Sequence, residues 1–307
     1  MRRFLTSTAF MLGAAAAALT AAIPAPSRAE QRPPLPPYFY GVTLDDVGSS
    51  KLSAEVTALH DLSRVAIARI VFDEGEQASY YVNPVQQIGS VAWVMGELLD
   101  SEYVSTYTVP QFTARVTQYL NTLGPAVDLW EVCNECNGEW LGTTSDVLAK
   151  LNSAYSQVKA KGWPTALTLY WNGPADDGTN SDWSDAGHEM LVWAQNIDPT
   201  VRNGVAYVLV SWYPGDNTNT ANSENKVWSW NSVFSSLHIL FPNAKLGFGE
   251  IGTTNKSLKA SYIQTYYALK PAVPGWIGGV FWWYAAEDFV PYTRALWTTF
   301  NNTIAHN

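Results

Sequence analysis

Eight short apolar runs, rich in β-branched and aromatic residues, recur along this chain and are separated by stretches long enough to hold a helix. Such alternation is typical of buried parallel strands joined by crossover helices. A doubly wound open sheet shows the same alternation and is the main alternative. Eight units, and no Gly-rich phosphate loop after the first, favour a single α/β domain folded as a (β/α)8 TIM barrel. The predicted strands are residues 38–44, 65–72, 90–98, 126–135, 165–172, 204–213, 245–251 and 278–284.

Two of the intervening stretches carry clear helix signals. In residues 110–124, apolar side chains repeat at helical spacing until a glycine ends the run. In residues 145–162, Ser145 or Asp146 can cap the start, and Gly162 follows a basic last turn. These stretches are the predicted crossover helices on either side of the fourth strand.

The first 29 residues have the order of a secretory signal peptide. Arg2 and Arg3 precede an Ala-rich apolar run over residues 4–22, and a small-residue site follows near Ala29. A membrane anchor is the alternative, but prolines break the run and it is short for a span. The arginine pair leaves twin-arginine export open beside the general route. We therefore expect a secreted or periplasmic protein with no membrane contact after the leader is removed.

A Pro-rich lead-in over residues 30–37 follows the leader, and residues 38–307 are long enough for one catalytic barrel. The chain carries a net charge of -9, which becomes -12 without the three arginines of residues 1–29. This charge argues against a nucleic-acid partner and, more weakly, against a polyanionic polysaccharide. The 14 Trp and 16 Tyr residues exceed what a barrel core needs and favour a carbohydrate ligand. We expect a monomer that needs no cofactor or metal.

Two glutamates stand where a barrel carries its functional side chains, at the carboxyl ends of strands. Glu135 ends the fourth predicted strand and Glu250 ends the seventh. These strands face each other across a barrel mouth, so both carboxyl groups can flank one glycosidic bond. A buried ion pair is the alternative for either glutamate alone. The pair together indicates glycoside hydrolysis.

The segments around these glutamates resemble the clan A glycoside hydrolase superfamily. Residues 130–135, WEVCNE, are similar to its strand-4 signature, in which an Asn-Glu pair closes the strand, and residues 247–252, GFGEIG, are similar to its strand-7 segment. The resemblance implies that Glu135 is the general acid/base and Glu250 the nucleophile. It also implies that Asn134 binds the sugar hydroxyl next to the reacting carbon.

The resemblance extends to other strand ends. It implies that Arg69 on the second strand and Tyr213 on the sixth hydrogen-bond the nucleophile, and that Trp283 on the eighth lies under the reacting sugar. Trp282, its neighbour, and Trp171, at the end of the fifth strand, are further candidates for substrate binding. Cationic and hydroxyl neighbours would keep the nucleophile ionised, whereas a more apolar setting would raise the pKa of the acid/base.

The two cysteines depart from the superfamily pattern, because Cys133 and Cys136 bracket Glu135. In an exported protein the pair suggests a disulfide that pins the loop after the fourth strand. Alternatively, Cys133 is a small buried filler that points into the barrel. A redox role or a zinc site is less favoured, since the motif does not open a helix and the histidines are scattered.

The sequence thus predicts an exported, retaining glycoside hydrolase that cleaves internal bonds of a neutral β-linked polysaccharide. The alternatives are a catalytically silent carbohydrate-binding barrel and an exo-glycosidase or transglycosylase on the same site. Glu131 lies deeper in the barrel and is predicted to be structural. Two polar loops, residues 176–185 with Trp183 and residues 216–225, are candidate cleft walls.

Overall fold

A computed structural model describes residues 34–48, 50–174, 184–215 and 227–307. Eight parallel strands pair in sequence order, and the eighth pairs with the first, so the predicted closed barrel is confirmed. The strands are β1 Phe39–Leu44, β2 Ile67–Val71, β3 Trp93–Glu97, β4 Leu129–Cys133, β5 Thr165–Tyr170, β6 Tyr207–Trp212, β7 Lys245–Ile251 and β8 Gly278–Trp282.

Helices fill the connections between strands. The α-helices are α1 Leu52–His60, α2 Val82–Ile88, α3 Val109–Leu123, α4 Thr144–Ala160, α5 Met190–Trp193, α6 Pro199–Gly204, α7 Trp230–Leu240, α8 Lys259–Tyr267, α9 Ala285–Asp288 and α10 Ala295–Ala305. Short 3-10 turns cover Ala78–Tyr81, Ser101–Thr106, Gly124–Ala126, Glu139–Leu141, Ala186–His188 and Ala194–Asn196. None of the helices in the described part of the chain is long and apolar enough to cross a membrane.

The two predicted crossover helices are confirmed as α3 and α4, but the cap predicted for α4 is wrong. Thr143, rather than Ser145 or Asp146, is the N-cap, and its side chain accepts a hydrogen bond from the Asp146 backbone N–H. Asp146 is instead in the first turn, where its charge complements the helix dipole.

The barrel interior is layered along the strand direction. Toward the amino ends of the strands, the lumen is filled by an apolar cluster that includes Ile67, Met95 and Leu129. Side chains two residues further along a strand point to the same face, so the next layer of these strands comprises Arg69, Glu97 and Glu131. The lumen therefore changes from apolar to charged toward the carboxyl ends of the strands.

Several sequence predictions lie wholly or mostly outside the described residues. These are the signal peptide of residues 1–29, much of the lead-in of residues 30–37, and the two polar loops. They stay predictions.

Candidate active site

The charged layer of the lumen is centred on Arg69, whose guanidinium contacts three acidic side chains. Its Nε lies 2.6 Å from Glu131 Oε2, and its Nη2 lies 3.1 Å from Glu97 Oε2 and 2.8 Å from Glu250 Oε1. All four side chains are buried. Burial, opposed in part by Arg69, raises the pKa of Glu97 well above its usual range. The shift favours the neutral form of Glu97 over the charged form.

Glu131 has the structural position that the sequence predicted. Besides its ion pair with Arg69, it accepts a hydrogen bond from the Thr168 hydroxyl on β5. It is deep in the lumen and fully partnered, so it serves to orient Arg69.

Three groups hold the carboxylate of Glu250. Tyr213 Oη donates to its Oε2 at 2.7 Å, while Asn134 Nδ2 donates to its Oε1 at 2.8 Å, the oxygen that also faces Arg69. Arg69 and Tyr213 thus make the contacts that the resemblance implied, and Asn134 makes an additional one.

Glu135 has a different environment. Its oxygens accept hydrogen bonds from two hydroxyls, from Ser101 at 2.8 Å and from Ser211 at 2.5 Å. Burial, and next the negative charge of Glu250, raise the pKa of Glu135 to about 8. At neutral pH this side chain therefore holds a proton that it can donate.

One hydroxyl connects the two glutamates. Ser211 Oγ lies 2.5 Å from Glu135 Oε1 and 3.4 Å from Glu250 Oε2. The nearest carboxyl oxygens are therefore no more than about 6 Å apart, below the roughly 6.5 to 9.5 Å of carboxyl pairs that invert configuration. The geometry suits direct attack by one carboxylate while the other transfers a proton.

The backbone at Glu135 is held in an uncommon conformation. Its φ is 45°, in the left-handed region that non-glycine residues rarely adopt, and such strain is concentrated at functional sites.

Cys133 and Cys136 form a disulfide on either side of Glu135, with Cα atoms 5.7 Å apart, and the Cys136 N–H donates to the Thr168 carbonyl. The pairing also shifts register between Glu131 and Cys133, so Cys133 does not follow the alternation that the filler hypothesis assumed. The disulfide hypothesis is supported.

The three predicted tryptophans differ in placement. Trp283 is half-buried, and the Arg69 guanidinium carbon lies 5.8 Å from the centroid of its ring, so it borders the site. Trp282 is fully buried and donates its indole N–H to Asp288. Trp171 is also buried, packed edge to face against Trp228. Neither Trp282 nor Trp171 presents an open ring face.

Sequence reasoning missed Ser211, Ser101 and Trp140. Ser211 had a usable signal, because it precedes Tyr213 by two residues on the predicted sixth strand and was therefore expected to face the same side. Ser101 and Trp140 lie in 3-10 turns after β3 and β4, where no periodicity applies.

Within residues 34–48, 50–174, 184–215 and 227–307, no three His, Cys, Asp or Glu side chains form a group that could hold a metal ion.

Comparison by sequence gives no match, either to protein-family models or to curated proteins. Comparison of structures does. Saccharomyces cerevisiae Gas2p in complex with laminaripentaose aligns with a TM-score of 0.55 at 11% identity, over 87% of this chain and 64% of that chain. A GH5-4 broad specificity endoglucanase from an uncultured bacterium aligns with a TM-score of 0.54 at 12% identity, over 85% of each chain. The likeness confirms the (β/α)8 fold predicted for a clan A glycoside hydrolase.

Proposed function

We propose that this protein is a retaining glycoside hydrolase that cleaves internal bonds of neutral β-linked glucans. The observation that carries the proposal is the pair of buried glutamates joined by the Ser211 hydroxyl at the carboxyl ends of β4 and β7. Two proteins of the same fold support the substrate class, since one is described with laminaripentaose and the other as an endoglucanase.

In the first step of the proposed mechanism, the Glu250 carboxylate attacks the anomeric carbon from one side. The glycosidic bond breaks as Glu135 transfers its proton to the departing oxygen, which leaves a sugar esterified to Glu250. Tyr213, Asn134 and Arg69 hold Glu250 in place for this attack.

In the second step, Glu135, now ionised, removes a proton from water. The resulting hydroxide attacks the same carbon, releases the sugar with its original configuration and restores both side chains. The hydroxyls of Ser101 and Ser211 stabilise Glu135 during the interval in which it is charged.

We also propose that the protein acts outside the cytoplasm. The leader pattern of residues 1–29 supports this location, and so does the Cys133–Cys136 disulfide, because such bonds persist in oxidising compartments.

The test is hydrolysis of laminarin, soluble cello-oligosaccharides and neutral mannan by the protein lacking residues 1–29 and by its Glu250→Ala and Glu135→Ala variants. We expect oligosaccharides of retained configuration from a β-glucan, detected by NMR of the first products, and loss of cleavage in both variants. Glu74→Ala is the matched control, because Glu74 is exposed in the loop after β2. Products of inverted configuration would contradict the role of Glu250.

The second candidate function is carbohydrate binding without cleavage. The burial of Trp171 and Trp282 does not favour it, because a binding barrel relies on open aromatic faces. Binding of laminarin by the unmodified protein, with no product over a long incubation, would favour this candidate over hydrolysis.

A further inference from the structure

Trp140 is an exposed aromatic side chain next to the candidate site, and nothing in the two-step mechanism uses it. It follows β4 in the turn Glu139–Leu141, and 42% of its surface is exposed. A large aromatic side chain exposed to that extent, beside a carbohydrate site, offers a ring face for stacking on the C–H surface of a sugar.

The ring is held in place on its other sides. Its Nε1–H donates to Ser101 Oγ at 3.1 Å, and the Tyr170 ring meets it edge to face with centroids 5.4 Å apart. A Cβ on Gly138 would lie 2.6 Å from the indole, so any larger residue there would displace the ring. A rigid ring that loses little freedom on binding is the kind of side chain that contributes most to recognition.

The hydrogen bonds of Ser101 connect this ring to the acid/base. Ser101 accepts from Trp140 and donates to Glu135 Oε2 at 2.8 Å, so two consecutive hydrogen bonds separate the indole from the carboxyl group that protonates the leaving oxygen. Trp283 is instead near Arg69, which contacts Glu250. Trp140 is thus linked to the acid/base, and Trp283 to the cation that contacts the nucleophile.

We infer that Trp140 is the stacking platform for the sugar on the leaving-group side of the bond. The acid/base of a retaining enzyme faces the leaving sugar, whereas the nucleophile faces the sugar that is retained. A platform connected to Glu135 thus binds the leaving sugar, and Trp283 is left for the retained one. The inference rests on the proposed function and specifies it: the site engages at least one sugar on each side of the bond.

The test compares substrates with different leaving groups, a sugar or a fluoride ion. Laminaripentaose and cellopentaose place a sugar on the leaving-group side of the bond, whereas the β-fluorides of laminaribiose and cellobiose release only a fluoride ion. In Trp140→Ala, kcat/KM for the pentasaccharide that is cleaved is expected to fall about thirty-fold, the loss typical of truncating an aromatic anchor. The value for the fluoride of the same series is expected to stay within about two-fold, since no leaving sugar is bound.

Three further variants make the result specific. Trp140→Phe keeps a ring face without the N–H and is expected to recover most of the activity on the pentasaccharide. Trp283→Ala is expected to lower kcat/KM for both substrates. Tyr292→Ala is the matched control, since Tyr292 has the same 42% exposure but packs against Trp297 of α10, which is bonded to α1.

Each outcome has one meaning. Equal losses on pentasaccharide and fluoride in Trp140→Ala would show that the ring does not act on the leaving sugar, and a Trp140→Phe variant as impaired on the pentasaccharide as Trp140→Ala would show that the ring only supports Ser101 and Glu135; either result would overturn the inference. An unchanged pentasaccharide value would overturn it as well, while leaving the proposed hydrolase intact. If the unmodified protein cleaves neither series, the proposed β-glucan hydrolase itself fails, and the platform fails with it.

Discussion

Arg69 shows how much of this site depends on a single side chain. It is the cation that the buried Glu97, Glu131 and Glu250 all contact. In Arg69→Met the shape is largely kept, but the carboxyl groups lose their partner, and breaking a buried pair costs about 3 to 5 kcal/mol. We expect the free energy of unfolding in urea at pH 7 to fall by that amount. Arg64→Met, which removes an exposed arginine, is the control, and an equally small loss in both variants would contradict the argument.

The Ser211 hydroxyl is expected to influence the pH at which activity is lost, because it changes the pKa of Glu135. Because the pKa of Glu135 is about 8, kcat/KM should fall as the pH rises through that value and the proton is lost. The Ser211 hydroxyl stabilises the ionised form, so Ser211→Ala should raise the pKa and move the alkaline limb of the profile to higher pH.

Ser232→Ala is the control for this shift, because Ser232 is exposed on α7. Its profile should match that of the unmodified protein. A limb that stays in place or moves down in Ser211→Ala would mean that the hydroxyl does not stabilise the charged carboxyl group.

Among the elements, α1 carries a buried acid that the mechanism does not use. Both carboxyl oxygens of Glu55 are buried with no hydrogen-bond partner, and burial, together with the charge of Asp46, raises its pKa to about 8. The folded protein thus binds this proton more tightly than the unfolded chain. The resulting stabilisation is complete below the unfolded pKa of about 4.3 and is lost as the pH rises to about 8, at up to about 1.4 kcal/mol per pH unit.

Glu55→Gln removes that dependence. The variant is expected to be more stable than the unmodified protein at pH 9, by a margin that shrinks steadily towards pH 5. The measurement is the free energy of unfolding of both proteins at several pH values, which isolates Glu55 from the other titrating groups. Parallel curves would show that Glu55 is ionised in the folded protein.

The strands and helices were predictable from the sequence because their apolar periodicity is strong, whereas their ends were not. The predicted fourth strand, residues 126–135, ends in the structure at Cys133, since Asn134 and Glu135 leave the ladder and Glu135 turns left-handed. The cap of α4 was misassigned because Thr143, Ser145 and Asp146 are all good caps, and only the backbone geometry decides among them.

At the scale of the whole molecule, charge should select the substrate. The net charge, -9 for the chain and -12 without the three arginines of residues 1–29, repels a polyanion over a range that shrinks from roughly 30 Å at 0.01 M salt to about 8 Å at 0.15 M. Cleavage of a carboxymethylated β-glucan should therefore accelerate over this salt range, while cleavage of neutral laminarin should stay constant. An equal response of both substrates would exclude repulsion as the cause.

The positions of Glu135 and Glu250 were predictable because carboxylates end two apolar runs that a barrel brings face to face. Trp282 and Trp283 illustrate the opposite case. Adjacent residues of a strand point to opposite faces, so at most one of them can border the site, and the composition alone does not say which. The Trp140–Ser101 contact was out of reach, because it joins two loops that the sequence separates by 39 residues.

The apolar and charged layers of the lumen help to specify a single strand register in the closed barrel. In an all-apolar barrel, a strand that slips by two residues keeps every side chain on its own face, so competing closures differ little in energy. Here such a slip would carry Arg69 about 6.6 Å along the barrel and break its contacts with Glu97, Glu131 and Glu250. The charges that serve the reaction thus also distinguish the native closure from its near neighbours.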